Sequence, residues 1–570
     1  MKKTFLFVVL IFPGLLFAYE IMPADSVQAG MTGYGISVFE ANKLDTFAVE
    51  ILGVLKKAGP DRKLIIARLS GAGLEKTGII SGMSGSPVFI NEKIIGAVAY
   101  AWSFSVEPLC GITPIDEMLA TKADSAESVG DGSEIKIRGE GRMSPYSGIT
   151  LTRIQTPLVV SGFNDWLMKD IETFFGEKGF SIVLGGGASG KGGEGDSLFL
   201  GSAVAAKLVG GDASIGAVGT VTYIDGKDVF AFGHPLFQSG AVSFPMSTAY
   251  VYAIMPSQLN SFKISSTEKN VGAIVQDRSN AIYGVIGKDA HMVPLDVTVR
   301  KGKLTKAFHF EIVDHKELTA YFTSMTFANA LLANSRGYGS LSLSVELTFF
   351  LKPYGKLQLK DFFTGEQAVT HSMNSINNVI GLLVNDRFER ILVESIEISV
   401  DVVEKEKSAV IETVKPSRFS VKRGEHIDIT AYLRDIKGEM RKEQFTLHIP
   451  ETYTDSIARI TVVGADGFAN LEMERVSNRF LTERPGHIIE LLKRSPRNNV
   501  LYCLLLSSKP GLLVKGYELG SLPSSMLHLM EGSQNLGEGR FTKGGIIDRA
   551  EKEFDFKISG SSIIAIKIVD

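Results

Sequence analysis

Gly82-Met83-Ser84-Gly85-Ser86-Pro87 runs into Val88-Phe89-Ile90, a turn at Asn91-Glu92, and then Lys93-Ile94-Ile95-Gly96-Ala97-Val98-Ala99-Tyr100. Two apolar runs around a two-residue polar turn predict a β-hairpin directly after a glycine-flanked serine. Glycines at 82 and 85 permit a tight turn around Ser84 and leave room for another chain to approach. A serine hydroxyl becomes a nucleophile only when a base takes its proton and fixed donors await the developing negative charge. The backbone N–H groups of Gly82 and Ser84 are suited to be those donors, which makes Ser84 the candidate nucleophile. The bland alternative is a glycine-rich β-turn whose serines bond to local backbone.

The same strand pattern spreads outward. Phe47 to Leu55, Ala217 to Tyr223 and Leu341 to Phe350 alternate apolar and polar residues between turn residues, so strands dominate. Helical spacing is confined to Pro114–Ala120, Phe163–Glu177, Leu318–Ala333 and Gln367–Leu383, which read as connectors or covers on β structure. A chain of 570 residues exceeds one hydrophobic core and must be multidomain. Beyond a break at Glu404 to Ala409, Phe419–Leu433 and Glu443–Ile449 look like strands of a small β-sandwich. The glycine-rich stretch from Gly185 to Gly195 reads as a loop or linker. Gly185 to Lys191 has the glycine and lysine spacing of a phosphate-binding loop, but position 192 is Gly instead of Ser or Thr and no helix pattern follows, so nucleotide binding is rejected.

Lys2 and Lys3 precede an apolar run from Phe5 to Phe17 that ends at Ala18, the pattern of a secretory signal peptide. The mature chain is expected in a periplasm or outside the cell, since no later run reaches transmembrane length. Cys110 and Cys503 are the only cysteines, too few for a disulfide framework, and two separate buried thiols are expected. A formal net charge of −3 gives no field to draw in nucleic acid, which points to a protein or peptide partner. Among nine histidines none stands at metal-ligand spacing, His309 and His315 included, so no metal and no cofactor is expected.

His234 stands apart. Gly233 and Pro235 bracket it at the end of a predicted hairpin, Val218–Tyr223 and Asp228–Phe232, turning at Asp225-Gly226. A base at a strand end can be aimed at a nucleophile on another element. The segment from Ile215 to Tyr223, continuing through Ala231-Phe232-Gly233-His234, resembles the histidine half of the SpoIVB peptidase family. Phe47 to Leu52, Lys76 to Ser81 leading into Gly82–Pro87, and Gly111 to Pro114 resemble its serine half. The resemblance spans roughly residues 28–120 and 195–300. It implies a trypsin-like double β-barrel core and peptide-bond hydrolysis, with Ser84 as nucleophile, His234 as general base and the Gly82 and Ser84 amides as oxyanion hole.

The chain departs from that pattern in four ways. Ser84 precedes His234, the reverse of the family's order. Met83 stands where digestive trypsin-like enzymes carry Asp, which implies no zymogen switch built on an ion pair with a freed N-terminus. No peptide-binding PDZ segment precedes the serine half. The orienting acid expected shortly before the serine motif is missing, since the chain reads Arg68-Leu69-Ser70-Gly71-Ala72-Gly73-Leu74 there. Asp45, Glu50, Asp61, Asp225 and Asp228 are nearby in sequence, the last two suited to the hairpin turn and its edge, and Ser70 could serve as a neutral acceptor. None is assigned.

The expected organisation is a signal peptide over 1–18, a serine-bearing half over 19–135, a helical connector and Gly-rich linker over 136–195, and a histidine-bearing half over 196–310. An α+β accessory region follows over 311–405, a β-sandwich-like domain over 406–496 and a mixed region over 497–570. The expected function is an exported serine endopeptidase, possible partners including an envelope-associated protein. The rival is a non-catalytic exported binding or scaffold protein that retains a peptidase fold. An esterase of the α/β-hydrolase type is excluded, because its Gly-x-Ser-x-Gly elbow needs a glycine where Ser86 stands.

Overall fold

The computed structural model describes residues 19–569 apart from 60–61, 103–104, 106, 124–133, 137–147, 149, 186–196, 334–338, 386–390, 477–484, 515–516, 520–524, 527–528 and 530–538. The signal-peptide segment and most of the Gly-rich linker lie outside the described residues. Strand accounts for 56% and helix for 17%, so the chain is mainly β with accessory helices, as expected. It divides into two compact units, one of residues 1–162, 168–208 and 214–291, the other of 163–167, 209–213 and 292–570. Both candidate catalytic segments fall in the first.

The first unit begins with β1 (Thr32–Glu40), β2 (Lys43–Gly59), β3 (Arg62–Ser70), helix α1 (Leu74–Thr77), β4 (Pro87–Ile90), β5 (Lys93–Ala101) and β6 (Leu109–Pro114). Their order in the sheet is β4-β1-β2-β3-β6-β5, and a β4–β5 pairing closes the six strands into a barrel. The β4–β5 hairpin is the one foreseen in the sequence: Ile90 pairs with Lys93, and Asn91 and Glu92 both take the left-handed conformation that a two-residue hairpin turn requires. Phe47, Val49, Ile51, Ile65, Ala67, Val88, Val98 and Ile112 fill the interior. Helix α2 (Ile115–Leu119) and short strands β7 (Glu134–Lys136) and β8 (Thr150–Arg153) follow.

The rest of the unit contains β9 (Thr156–Ser161), most of helix α3 (Asp165–Gly176), β10 (Phe180–Leu184), most of β11 (Ala203–Gly211), β12 (Ser214–Asp225), β13 (Asp228–Ala231), β14 (Gly240–Met255), β15 (Phe262–Arg278) and β16 (Ala281–Ile286). Here the order is β12-β13-β16-β15-β14-β11, and an added β12–β11 pairing curls the sheet back on itself. The fold is therefore a pair of six-strand β units, the double-barrel class expected.

In the second unit β17 (Met292–Lys301), β18 (Leu304–Val313), β19 (Leu341–Lys352), β20 (Gly355–Gly365) and β21 (Leu392–Val403) form a sheet in the order β18-β17-β21-β19-β20, with helices α4 (Leu318–Leu332) and α5 (Ala368–Val384). A β-sandwich comes next. Strands Ser408–Pro416, His426–Asp435 and Met440–His448 face Ile457–Val463, Val500–Ser507 and Ser561–Val569 across one core containing Ile429, Leu433, Leu447, Ile460, Leu505 and Ile566. The strands after residue 500 thus complete the sandwich. Cys110 and Cys503 are separate buried thiols, and burial pushes the pKa of each up. Among the described residues no helix is long and apolar enough to cross a membrane.

Candidate active site

The serine turn is fastened on both sides by the second set of strands. Ser81 N–H donates to Ser261 O at 2.8 Å, and Lys263 N–H donates to Ser81 O at 3.1 Å. From β12, Thr220 N–H donates to Ser84 O at 2.9 Å, Thr220 Oγ1 to Gly82 O at 2.9 Å and Thr222 Oγ1 to Gly85 O at 2.7 Å. The turn's own backbone is then largely committed: Met83 N–H donates to Ile80 O at 3.0 Å, Gly85 N–H to Val98 O at 2.8 Å and Ser86 N–H to Met83 O at 2.9 Å. The N–H groups of Gly82 and Ser84 donate to nothing among the described residues. Two free amides separated by one residue, in a turn whose other amides are used, are suited to hold an oxyanion.

His234 arrives from the β12–β13 hairpin, where Asp225 pairs with Asp228 as the sequence led one to expect. Phe232 (φ 68°) and Gly233 (φ 69°) are both left-handed and turn the chain sharply out of β13. For a bulky residue that conformation costs about 1–3 kcal/mol and must be held by its surroundings. Phe232 N–H donates to Thr220 O at 3.2 Å, and Thr113 Oγ1 on β6 donates to Gly233 O at 2.6 Å. Thr220 thus bonds the serine turn through its N–H and the histidine turn through its carbonyl.

Beyond the histidine, Asp277 at the end of β15 is fully buried and accepts from Leu236 N–H at 2.8 Å, Phe237 N–H at 2.7 Å and Ser239 N–H at 3.3 Å. Burial pushes its pKa up, and these backbone bonds work in the opposite direction. Sequence reading missed Asp277, which sits in Gln276-Asp277-Arg278-Ser279-Asn280, a run indistinguishable from an ordinary turn.

Ser84 and His234 are both buried, at 0% and 2% exposure, and neither Ser84 Oγ nor His234 Nε2 has a hydrogen-bond partner. The direct Ser–His bond is therefore not formed in this structure, although the two turns are bonded to the same strand. His234 Nδ1 lies 2.8 Å from Pro235 O. A carbonyl only accepts, so the proton sits on Nδ1 and Nε2 presents a lone pair. Burial, with smaller contributions from Arg153 and Arg62, lowers the imidazole pKa to about 4, and the Pro235 carbonyl opposes the shift. At neutral pH the ring is an uncharged acceptor, as a general base must be.

The described acids considered from sequence are engaged elsewhere. Glu50 binds Arg68 at 2.9 Å, Asp45 accepts from Thr46 N–H at 2.8 Å, and Asp228 holds Tyr283 Oη at 2.8 Å and Lys122. Asp225 closes the hairpin turn, and Asp61 lies outside the described residues. Ser70 is exposed at the end of β3. The Nδ1 partner is a main-chain carbonyl, which no motif would reveal.

His234, Pro235 and Leu236 line a cleft of about 700 Å³ together with Gly78, Trp102 and Leu259. Ser84 is not among its lining residues.

Residues 17–119 match the family model described as SpoIVB peptidase S55. The matched stretch contains the whole serine turn and its hairpin, and the histidine segment lies outside it. No curated protein and no solved structure matches the chain.

Proposed function

We propose that this chain is an exported serine endopeptidase in which Ser84 is the nucleophile and His234 the general base. One observation carries the reading: a buried hydroxyl and a buried imidazole nitrogen, both unsatisfied, sit on turns fastened to the same residue, Thr220. Leaving a buried polar atom unpaired costs about 1–3 kcal/mol. An approach that joins Ser84 Oγ to His234 Nε2 relieves both and creates the reactive pair, a tightening common when substrate binds.

In the reaction Ser84 Oγ attacks the peptide carbonyl and passes its proton to His234 Nε2. The oxyanion accepts from the Gly82 and Ser84 amides, and the imidazolium is steadied through Nδ1 by Pro235 O. His234 then gives the proton to the leaving amine. Water, deprotonated by the same nitrogen, attacks the acyl-enzyme and releases the acid. The cleft beside His234 is the path by which an extended protein segment reaches the site. Residues 1–18 are the export signal, and the histidine segment is the second half of the family's core in reversed chain order.

Labelling by a fluorophosphonate tests the assignment. The wild-type protein is expected to label, Ser84→Ala not at all, and His234→Ala at least ~100-fold more slowly. Label retained on Ser84→Ala would remove Ser84 from the mechanism. The full burial of Ser84 favours the rival reading, a non-catalytic protein on a peptidase fold, and a wild-type chain inert to the probe would leave that reading standing.

A further inference from the structure

Lys263 lies on β15, fully buried, with no carboxylate partner among the described residues. Its alternation pattern is inverted: in Phe262-Lys263-Ile264-Ser265 the polar Lys263 and Ser265 take the buried positions, and Phe262 and Ile264 stand half-buried. A buried ammonium without a counter-charge is costly to a fold, and an apolar side chain of the same length would remove that cost.

The amine has one polar contact. Lys263 Nζ donates to Ser37 Oγ on β1 at 3.0 Å, Ser37 Oγ and Ser86 Oγ are 3.0 Å apart, and Ser86 Oγ donates to Met83 O at 2.7 Å. Ser86 Oγ is the donor in both of its contacts, to Ser37 Oγ and to Met83 O, and shares its single proton between them. Ser37 Oγ thus accepts from the amine and from Ser86, and the Ser86 hydroxyl links it to Met83 O. That carbonyl also accepts Ser86 N–H at 2.9 Å. Across the planar trans peptide, Met83 C=O and Ser84 N–H point in opposite directions, so fixing one fixes the other.

We infer that Lys263 is a positioning residue for the oxyanion hole, acting through Ser37 and Ser86 to hold and polarise the Met83–Ser84 peptide whose N–H faces the substrate. The inference rests on the peptidase reading. A carbonyl drawn on by two donors makes its own N–H a stronger donor, and Ser37, held by the ammonium, fixes where the Ser86 hydroxyl stands. The stem also supports the other oxyanion amide, since a Cβ on Gly82 would stand 3.1 Å from Lys263 Cδ. Around the amine, β1 contributes the Ser37 hydroxyl and the Phe39 ring, 5.7 Å to its centroid, and the serine turn contributes Gly82 and Ser86. No titratable side chain faces it from these elements. Burial alone lowers the amine's pKa to about 7, so its charge changes within the range where His234 is already neutral.

The test measures fluorophosphonate inactivation, resolved into kinact and KI, between roughly pH 5 and pH 9 on the full chain, together with Tm. Lys263→Met and Ser37→Ala are each expected to lower kinact about 10-fold with KI unchanged, short of the 10²–10³ seen when an oxyanion donor is deleted outright. Wild-type kinact should decline as pH rises through about 7, and Lys263→Met should lose that decline while melting no lower than wild type. Wild-type kinact in Lys263→Met, with the decline intact, overturns the inference and leaves the peptidase reading standing. If Lys263→Met does not fold, Ser37→Ala decides alone, and kinact at the wild-type level overturns the inference. Labelling of Ser84→Ala sinks the reading beneath it and this inference with it.

Discussion

His234 Nδ1 is held at 2.8 Å by the carbonyl oxygen of Pro235, its own neighbour in the chain. A neutral acceptor fixes the tautomer as a carboxylate would, and stabilises the imidazolium less. It does so only if the carbonyl itself is fixed. Asp277 supplies that constraint one step removed, by gathering the N–H groups of Leu236, Phe237 and Ser239. The acid missing before the serine motif is thus matched by a buried acid that orders the loop carrying the acceptor.

Asp277→Asn tests this arrangement. An amide keeps one acceptor oxygen and turns a donor toward backbone N–H groups that need an acceptor. The expected loss is about 1–3 kcal/mol of stability for the unsatisfied groups. Labelling of Ser84 should slow at least ~10-fold in protein that remains folded, because the ring is no longer aimed. Labelling at the wild-type rate would reduce Asp277 to a loop staple with no bearing on His234.

The acid limb of reactivity should be set by His234. Its folded pKa is lowered from 6.5 to about 4, so the neutral base persists until the pH falls to about 4. The sign for stability follows from the same shift. Between 6.5 and about 4 the unfolded chain binds a proton that the folded chain refuses, so the contribution is whole above 6.5 and is lost as pH falls toward 4. Initial labelling rates measured after brief exposure to each pH separate the two effects. A limb near 6.5 would mean an imidazole open to water and would contradict the burial.

The strands, the hairpins and the two motifs were legible because each is local. Ile90 and Lys93 flank a two-residue turn, and Asp225-Gly226 marks another, so pairing follows from spacing. Barrel closure was not, since nothing in β4 alone says that it will also meet β1, nor in β11 that it will also meet β14. The burial of Lys263 was not legible for a different reason: period-2 alternation fixes which residues share a face and leaves open which face is inside. Pro235 O was invisible because every residue carries a carbonyl.

Gly85 allows a sharp contrast with Gly226. Both have positive φ, at 97° and 59°, and the surroundings differ. A Cβ on Gly85 would sit 2.0 Å from Thr220 O and 2.5 Å from Phe232 N, backbone atoms of the strand and turn that join Ser84 to His234. Gly226, at the hairpin tip, would meet nothing within 4 Å. Gly226→Ala is expected to cost about 1–2 kcal/mol for the left-handed conformation and to leave labelling unchanged. Gly85→Ala adds overpacking to a similar strain, about 2–5 kcal/mol in sum, and should abolish labelling in whatever fraction folds. Chemical denaturation and probe labelling of the two variants side by side give the comparison.

Lys263→Met makes a prediction about stability whose direction depends on pH. The wild-type amine has its pKa lowered from 10.5 to about 7 by burial. Between those values the unfolded chain is protonated and the folded chain is not, so wild-type stability rises with pH across that window. Methionine does not titrate. The variant should therefore exceed wild type by a few kcal/mol at pH 6.5, taking about 1.4 kcal/mol per pH unit, and the advantage should shrink steadily toward pH 10. The two tryptophans make the measurement specific: Trp102 belongs to the first unit and Trp166 to the second, so Trp102 fluorescence in a Trp166→Phe background follows the unit that holds the site. A variant less stable than wild type at every pH would make the ammonium a structural strut. One more stable and less reactive would mean that the fold gives up stability to keep a cation behind the oxyanion hole.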